Sequence, residues 1–252
     1  NIQTIRIILF LENRYYDFKG LNLTLETLDG LLKHNGPIKN TKKYYRILGK
    51  KLFKNKIKFS SSPSLEAQIA SISDDIAYNS HDLEDGLKSN LFKLKDLENI
   101  PILKSIIIKH KKKIKNFSID LIIRQIVREI INEMVKDIIK TTRNNIKIYK
   151  IKNLRDVYNS KYPIVTFSKN MSKFDQKIKN FLKKKMYYHK NVRKNTNKGK
   201  MIINKLFVSI KKNPKTYLNV SKYDKSNIAR SICDFIAGMT DRYAINLYKQ
   251  VT

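Results

Sequence analysis

Apolar residues return every three or four positions along most of this chain, the spacing of one face of a helix. The longest run follows Ser118, a residue suited to capping a helix N-terminus, and reaches about Thr142. Ile119, Ile122, Ile123, Ile126, Val127, Ile130, Ile131, Met134, Val135, Ile138 and Ile139 form a stripe wider than a coiled-coil seam. It predicts a structural helix packed on two neighbours and open to subunit contacts. A second helix is expected from Ser226 to about Gln250, with Ile228, Ile232, Phe235 and Met239 on one stripe. Gly238 inside it costs helix stability, which points to close approach of a neighbouring backbone. Near the start, Thr24 caps a short helix carrying Leu25, Leu28 and Leu32, and Gly36-Pro37 stops it. Lys39–Lys58 reads as a solvated, lysine-rich connector with Tyr and Leu anchors. From Lys147 the periodicity fails; Pro163-Ile164-Val165 with Phe167-Ser168 suggests a short extended piece before helix resumes at Lys173. With only 7 Gly and 5 Pro in 252 residues, the chain is expected to be all-α, a multi-helix bundle.

One stretch departs from the rest. Ser64 is placed to cap a helix running to Leu87, with Leu65, Ile69, Ile72, Ile76 and Leu83 facing inward. The other side carries Ala67, Ala70, Ser71, Asp74, Tyr78, His81 and Asp82. The chain has 53 Lys and Arg, yet none lies between Phe59 and Leu87, where Glu66, Asp74, Asp75, Asp82, Glu84 and Asp85 gather. A solvated face in so basic a protein would be expected to carry Lys. Asp74, Tyr78 and Asp82 stand at i, i+4 and i+8, stacked on consecutive turns as the wall of a polar site would be. The same pattern also fits an acidic core helix whose carboxylates favour the helix dipole and pair with lysines. Spacing alone does not name a ligand.

The formal charge of +32 points first to nucleic acid or an anionic membrane. Lys, Ile and Asn are over-used together, as an AT-rich genome would write them, and the basic residues are spread over many segments. Weak, non-specific nucleic-acid binding is therefore expected rather than sequence-specific recognition. No apolar run approaches the ~20 residues of a membrane helix, so no membrane partner is expected. The single cysteine, Cys233, leaves no intrachain disulfide and suits the cytoplasm.

Glu66-Ala67-Gln68, Asp74-Asp75-Ile76-Ala77-Tyr78 and His81-Asp82-Leu83-Glu84-Asp85-Gly86 together resemble the bacterial deoxyguanosine-triphosphate triphosphohydrolase family, a branch of the HD-domain phosphohydrolases. Asn1-Ile2-Gln3, Lys33-His34-Asn35-Gly36-Pro37, the run from Tyr187 to Val192 and Asp234 to Ala244 extend the resemblance over most of the chain. It implies an HD-domain-like bundle of which this is the C-terminal portion. Residues 1–100 would be the end of the catalytic domain, with the metal and sugar helix at 64–87, and 101–252 a helical region packed on it. The family's first metal histidine, its His-Asp pair and its catalytic histidine would all precede Asn1. The chain is then an N-terminally truncated portion holding none of the catalytic residues.

The resemblance further implies a dNTP, dGTP-type, triphosphohydrolase. Water attacks the α-phosphorus with the help of Mg²⁺ or Mn²⁺, giving deoxynucleoside and triphosphate, and the basic field steers the substrate in. By the same similarity Asp74 is a metal ligand, Tyr78 packs on the sugar, Asp82 hydrogen-bonds the 3′-hydroxyl, and Lys33 reaches a phosphate. The alternative for Lys33 is a solvated lysine in the last turn of its helix. His81-Asp82 spells the family's two letters but belongs to the sugar end. His34 and His189 are read as structural. Arg230 and Tyr243 are candidates for the rim of the site, with a plain core position as the alternative for Tyr243. The basic cluster 193–200 is either solvated or in contact with phosphates of a neighbouring subunit. A homo-oligomer is expected. Two other readings stay open: an inactive remnant that binds nucleotide or joins an intact subunit, and a basic helical nucleic-acid-binding protein.

Overall fold

The computed structural model describes residues 2–49, 57–111, 117–218 and 227–251. Among them the regular structure is helical and no strand occurs, so the chain is all-α as its patterning indicates. It divides into two compact units, residues 1–182 and 183–252.

The first unit contains α1 (Ile2–Arg6), which runs into a π-helical turn at Ile7–Leu11, then α2 (Leu25–Leu32) and α3 (Lys42–Leu48). The acidic helix is α4 (Leu65–Lys88), followed by α5 (Leu94–Leu97), α6 (Pro101–Lys111), α7 (Ile119–Ile148), α8 (Leu154–Asn159) and α9 (Lys169–Leu182). α4 lies along α7, with α2 and α9 against its other sides.

α4 forms where the sequence places it. Ser64 Oγ accepts from the Ala67 amide at 3.2 Å, filling one of the orphan donors of the first turn. The helix ends where Asn90 enters the left-handed region at φ 54 and the Leu91 amide donates back to the Gly86 carbonyl. Gly86 is required by packing. A Cβ there would run into the ring of Phe92, which is buried against Phe181 with ring centroids 4.8 Å apart.

Ser118 caps α7 through the Leu121 amide at 3.3 Å. Ile122, Ile123, Ile126, Val127, Ile130, Met134 and Ile138 are buried, whereas Ile119, Val135 and Ile139 at the edges of the broad stripe are exposed. The helix continues past Thr142 to Ile148. Asn145 in this extension is buried and donates its Nδ2 to the Ile164 carbonyl at 2.9 Å, a tertiary contact that periodicity does not register.

The expected extended piece around Pro163–Ser168 is irregular, and side chains replace a strand partner. Gln68 Oε1 accepts from the Ile164 and Val165 amides at 2.9 and 3.0 Å, and Asp137 accepts from the Ser168 amide at 2.8 Å. Helix resumes at Lys169 rather than Lys173, because Ser168 Oγ takes the Met171 amide. Within the lysine-rich connector, α3 sets Tyr44 and Tyr45 against the buried Phe59; residues 50–56 lie outside the described residues.

The second unit opens on a π-helical turn, Lys183–Tyr187, followed by α10 (Lys190–Lys212), α11 (Pro214–Tyr217), α12 (Ile228–Ala237) and α13 (Asp241–Val251). Its core joins Ile202, Leu206 and Ile210 of α10 to Leu218, Ile232 and Leu247. The single terminal helix expected here is two helices. Gly238 is the C-cap of α12, and Thr240 Oγ1 accepts from the Tyr243 amide to start α13. The close backbone approach expected at Gly238 is absent, since the nearest atom to an added Cβ would be 3.5 Å away. Ser226, proposed as the start of the terminal helix, lies outside the described residues. Among the described residues no helix is long and apolar enough to cross a membrane.

Candidate functional site: the acidic helix and its cleft

α4 is held by a polar underside. Gln68, Asn79 and Ser80 are buried beside Ile76, Leu83 and Leu87, while Ile69, placed inward by periodicity, is 49% exposed. Gln68 donates Nε2 to the Pro63 carbonyl at 2.9 Å while its Oε1 takes the two amides of 164 and 165. Asn79 donates to Asp175 on α9 at 3.1 Å. Directional contacts of this kind fix the rotation of a helix more narrowly than apolar packing does.

With the underside fixed, Asp74, Tyr78 and Asp82 share the outward flank over about 12 Å of helix axis. The Asp74 side chain is 73% exposed and Tyr78 is 60% exposed; Asp82 is half-buried. α2 closes on the neighbouring strip. A Cβ added at Gly30 would stand 3.0 Å from Ala67 Cβ, which accounts for both small residues. Ser71 Oγ donates to the His34 carbonyl at 2.7 Å, and this brings His34 Nε2 to 3.9 Å from Asp74 Oδ2. His34 sits just past the end of α2, as the sequence suggests, and its ring also faces Asp74.

A cleft of about 470 Å³ opens beside this corner. His34, Asn35 and Gly36 form one side, Ser71 and Asp75 of α4 the floor, and Lys161 and Tyr162 another side. Its size lies within the range of small-molecule sites. Asp75 rather than Asp74 lines it. The Asp75 carboxylate pairs with Lys179 at 3.0 Å, and Lys179 also pairs with Asp175 at 2.9 Å. Burial disfavours the charged amine, but the hydrogen bonds Lys179 donates to the Asp175 and Asp75 carboxylates outweigh it and hold Lys179 above the usual lysine range.

Lys33 is placed elsewhere. It is 1% exposed, not the solvated lysine allowed for above, and its ammonium lies 2.7 Å from both Asp29 Oδ1 and Ser61 Oγ. It borders a separate cavity of about 260 Å³ with Glu26 and Tyr158. Burial, reinforced by Asp29, Glu26 and Glu66, raises the Tyr158 pKa. His81 stands outward, 3.9 Å from Glu84. His189 caps α10, its Nδ1 accepting from the Asn191 amide at 3.4 Å. Tyr243, in the second unit, is 51% exposed and so is not a core residue, while Arg230 is half-buried.

As a metal site, the donor set fits in kind but not in number. His34 Nε2 and Asp74 Oδ2, 3.9 Å apart, lie within the span of two ligands each about 2.1 Å from a common ion. Among the described residues no group of three or more His, Cys, Asp or Glu is gathered to hold one.

Residues 165–250 match the model of the phosphohydrolase-associated domain. Over its full length the chain is 54% identical to the deoxyguanosinetriphosphate triphosphohydrolase-like protein of Pelagibacter ubique and covers 67% of it. The chain belongs to the deoxyguanosinetriphosphate triphosphohydrolase-like family. It is also 38% identical to the protein of that name from Bartonella quintana, covering 65% of it, and 34% identical to that of Caulobacter vibrioides, covering 66%. The chain thus spans about two thirds of the length of these triphosphohydrolase-like relatives. The phosphohydrolase-associated match runs from Val165 to Gln250 and leaves α4 outside it.

Sequence reasoning missed the second tier of the site: Gln68, Asn79, Asp175 and Lys179. Gln68 lies inside a motif carrying the resemblance, but its burial follows only from the irregular 163–168 segment folding onto it. Lys179 is one lysine among many, distinguished by two carboxylates that reach it from 104 and 4 residues away.

Proposed function

We propose that the chain is part of a cytoplasmic dNTP triphosphohydrolase of dGTP type, and that the outward flank of α4 binds the sugar and metal end of the substrate. The observation that carries this reading is the row Asp74, Tyr78 and Asp82, held at one angle by the Gln68 and Asn79 hydrogen bonds, with Asp74 facing His34 at the edge of a cleft of suitable size that the three do not themselves line. Asp74, with His34 opposite it, would hold Mg²⁺ or Mn²⁺. Such an ion, when bound, neutralises charge building on the phosphoryl oxygens. Tyr78 offers its exposed ring to a deoxyribose, and Asp82 one turn on accepts from the 3′-hydroxyl. The cleft lined by His34, Asn35 and Lys161 receives the rest of the nucleotide. Lys33 uses two of its three donors on Asp29 and Ser61 and ties α2 to the loop that leads into α4, so a phosphate contact would rest on the third, toward the cavity it borders. Further metal ligands come from outside the described residues, and a homo-oligomer is the expected assembly.

A second reading has this chain bind nucleotide without hydrolysing it, favoured by the small number of metal donors gathered here. Calorimetric titration of the chain with dGTP and Mn²⁺ tests what both readings share. Tyr78→Ala should weaken binding about tenfold or more while leaving the unfolding midpoint unchanged. Equal affinity in the variant removes the α4 flank from the site.

A further inference from the structure

We propose that Lys179 is a positioning residue for the phosphates of the bound nucleotide: it holds the Asp75 carboxylate and cancels a negative charge on the floor of the α4 cleft. The proposal rests on the nucleotide reading given above. A nucleotide laid along α4 with its 3′-hydroxyl at Asp82 and its sugar on Tyr78 runs its 5′-phosphates toward Asp74. His34, which faces Asp74 at 3.9 Å, also forms one side of the cleft, so phosphates continuing past Asp74 enter it. There they meet Asp75, whose side chain is 60% exposed. A bare carboxylate at that place repels every phosphate brought to it.

Lys179 removes the conflict through four side chains on two helices. Asn79 of α4 donates to Asp175 Oδ1 of α9 at 3.1 Å, and Asp175 Oδ2 lies 2.9 Å from Lys179 Nζ. Lys179 Nζ then reaches back to Asp75 Oδ2 of α4 at 3.0 Å. Asp75 and Asn79 are one turn apart on α4, and Asp175 and Lys179 one turn apart on α9, so the two helices match rung for rung. The inner rung, Asn79 with Asp175, is buried and ties the helices together. The outer rung is 35% exposed at Lys179 and 60% at Asp75, where an ion pair contributes little to stability. What it changes is charge. Burial opposes the ammonium, yet the hydrogen bonds it donates to Asp175 and Asp75 keep Lys179 protonated. Lys161, exposed on the cleft wall and in no ion pair among the described residues, is then left to meet phosphate directly.

Affinities for dGMP and dGTP with Mn²⁺ are measured by calorimetry on the whole chain, with unfolding midpoints alongside. Lys179→Met should weaken dGTP binding at least about tenfold and dGMP binding less than about threefold, because the cost grows with the phosphates that reach Asp75. Adding Asp75→Asn should return dGTP affinity to within about threefold of wild type. Lys179→Arg, which keeps the charge, should also stay within about threefold. A residue that only supported the fold would cost both nucleotides alike, and a second substitution on the same rung would not repair it. Should Lys179→Met fail to fold, Asp75→Asn alone decides. It keeps the Lys179–Asp175 pair and should tighten dGTP binding about threefold or more; weaker binding overturns the proposal. Equal losses for dGMP and dGTP without rescue overturn it too, as does a folded Lys179→Met chain that binds dGTP like wild type. That last result leaves the nucleotide reading standing, whereas a wild-type chain that binds no dGTP ends both.

Discussion

α4 and α10 are helices of nearly equal length, 24 and 23 residues, built from one lysine-rich composition to opposite plans. α4 carries carboxylates outward and hides Gln68, Asn79 and Ser80 beneath; α10 carries lysines outward and hides Ile202, Leu206 and Ile210. The undersides explain what the outer faces can do. Hydrogen bonds to Pro63, Ile164, Val165 and Asp175 hold α4 at one rotation, as a site with one residue per ligand group requires. On α10 the buried side is aliphatic, packed on Leu218, Ile232 and Leu247.

The largest expected effects are on the undersides. Leu206→Ala opens a cavity at a fully buried position of α10 and should cost about 2–5 kcal/mol in urea unfolding. Gln68→Leu nearly conserves volume under α4, yet strands the Ile164 and Val165 amides and should still cost about 2–4 kcal/mol. A loss under about 1 kcal/mol for Gln68→Leu would mean that the polar underside does not fix α4 and would erase the contrast.

A smaller effect tests the frame on which α4 rests. Glu129 on α7 takes hydrogen bonds from Lys109 and His110 of α6, both at 2.7 Å. The Lys109 bond leads in lowering its pKa, partly opposed by burial and aided by His110. A carboxyl with a lowered folded pKa stabilises fully above its unfolded value and loses that contribution as pH falls through the folded value. The chain should therefore lose stability as pH drops below about 4.5, and Glu129→Gln should flatten that limb. An unchanged acid limb would show the pair to be idle.

The contrast was only half legible in the sequence. That Asp74, Tyr78 and Asp82 share one flank of α4 followed from i, i+4, i+8 spacing, and the all-α fold from periodicity and the scarcity of Gly and Pro. That the flank would turn inward did not hold, since Asp74 and Tyr78 are exposed. The underside did not follow, because a helical wheel assigns polar residues to water, and Gln68 and Asn79 are inward for partners 96 residues away. Lys33 misled for the same reason: a lysine ending a helix reads as solvated until Ser61, 28 residues on, is brought to it. The break at Gly238–Thr240 was readable, since a glycine after the last periodic residue and a threonine before Asp241 are stop and start signals. Phe235 and Met239 kept the stripe in phase and hid it.

The outward row decides the central claim, and one measurement addresses it. Triphosphate released from dGTP with Mn²⁺ is measured for the product of the whole gene and for its Asp74→Asn variant, with unfolding curves recorded alongside. At an exposed side chain the substitution should move stability by less than about 0.5 kcal/mol. If Asp74 holds the ion, release falls at least about a hundredfold. Release at the wild-type rate from a folded Asp74→Asn protein would contradict the assignment of this helix.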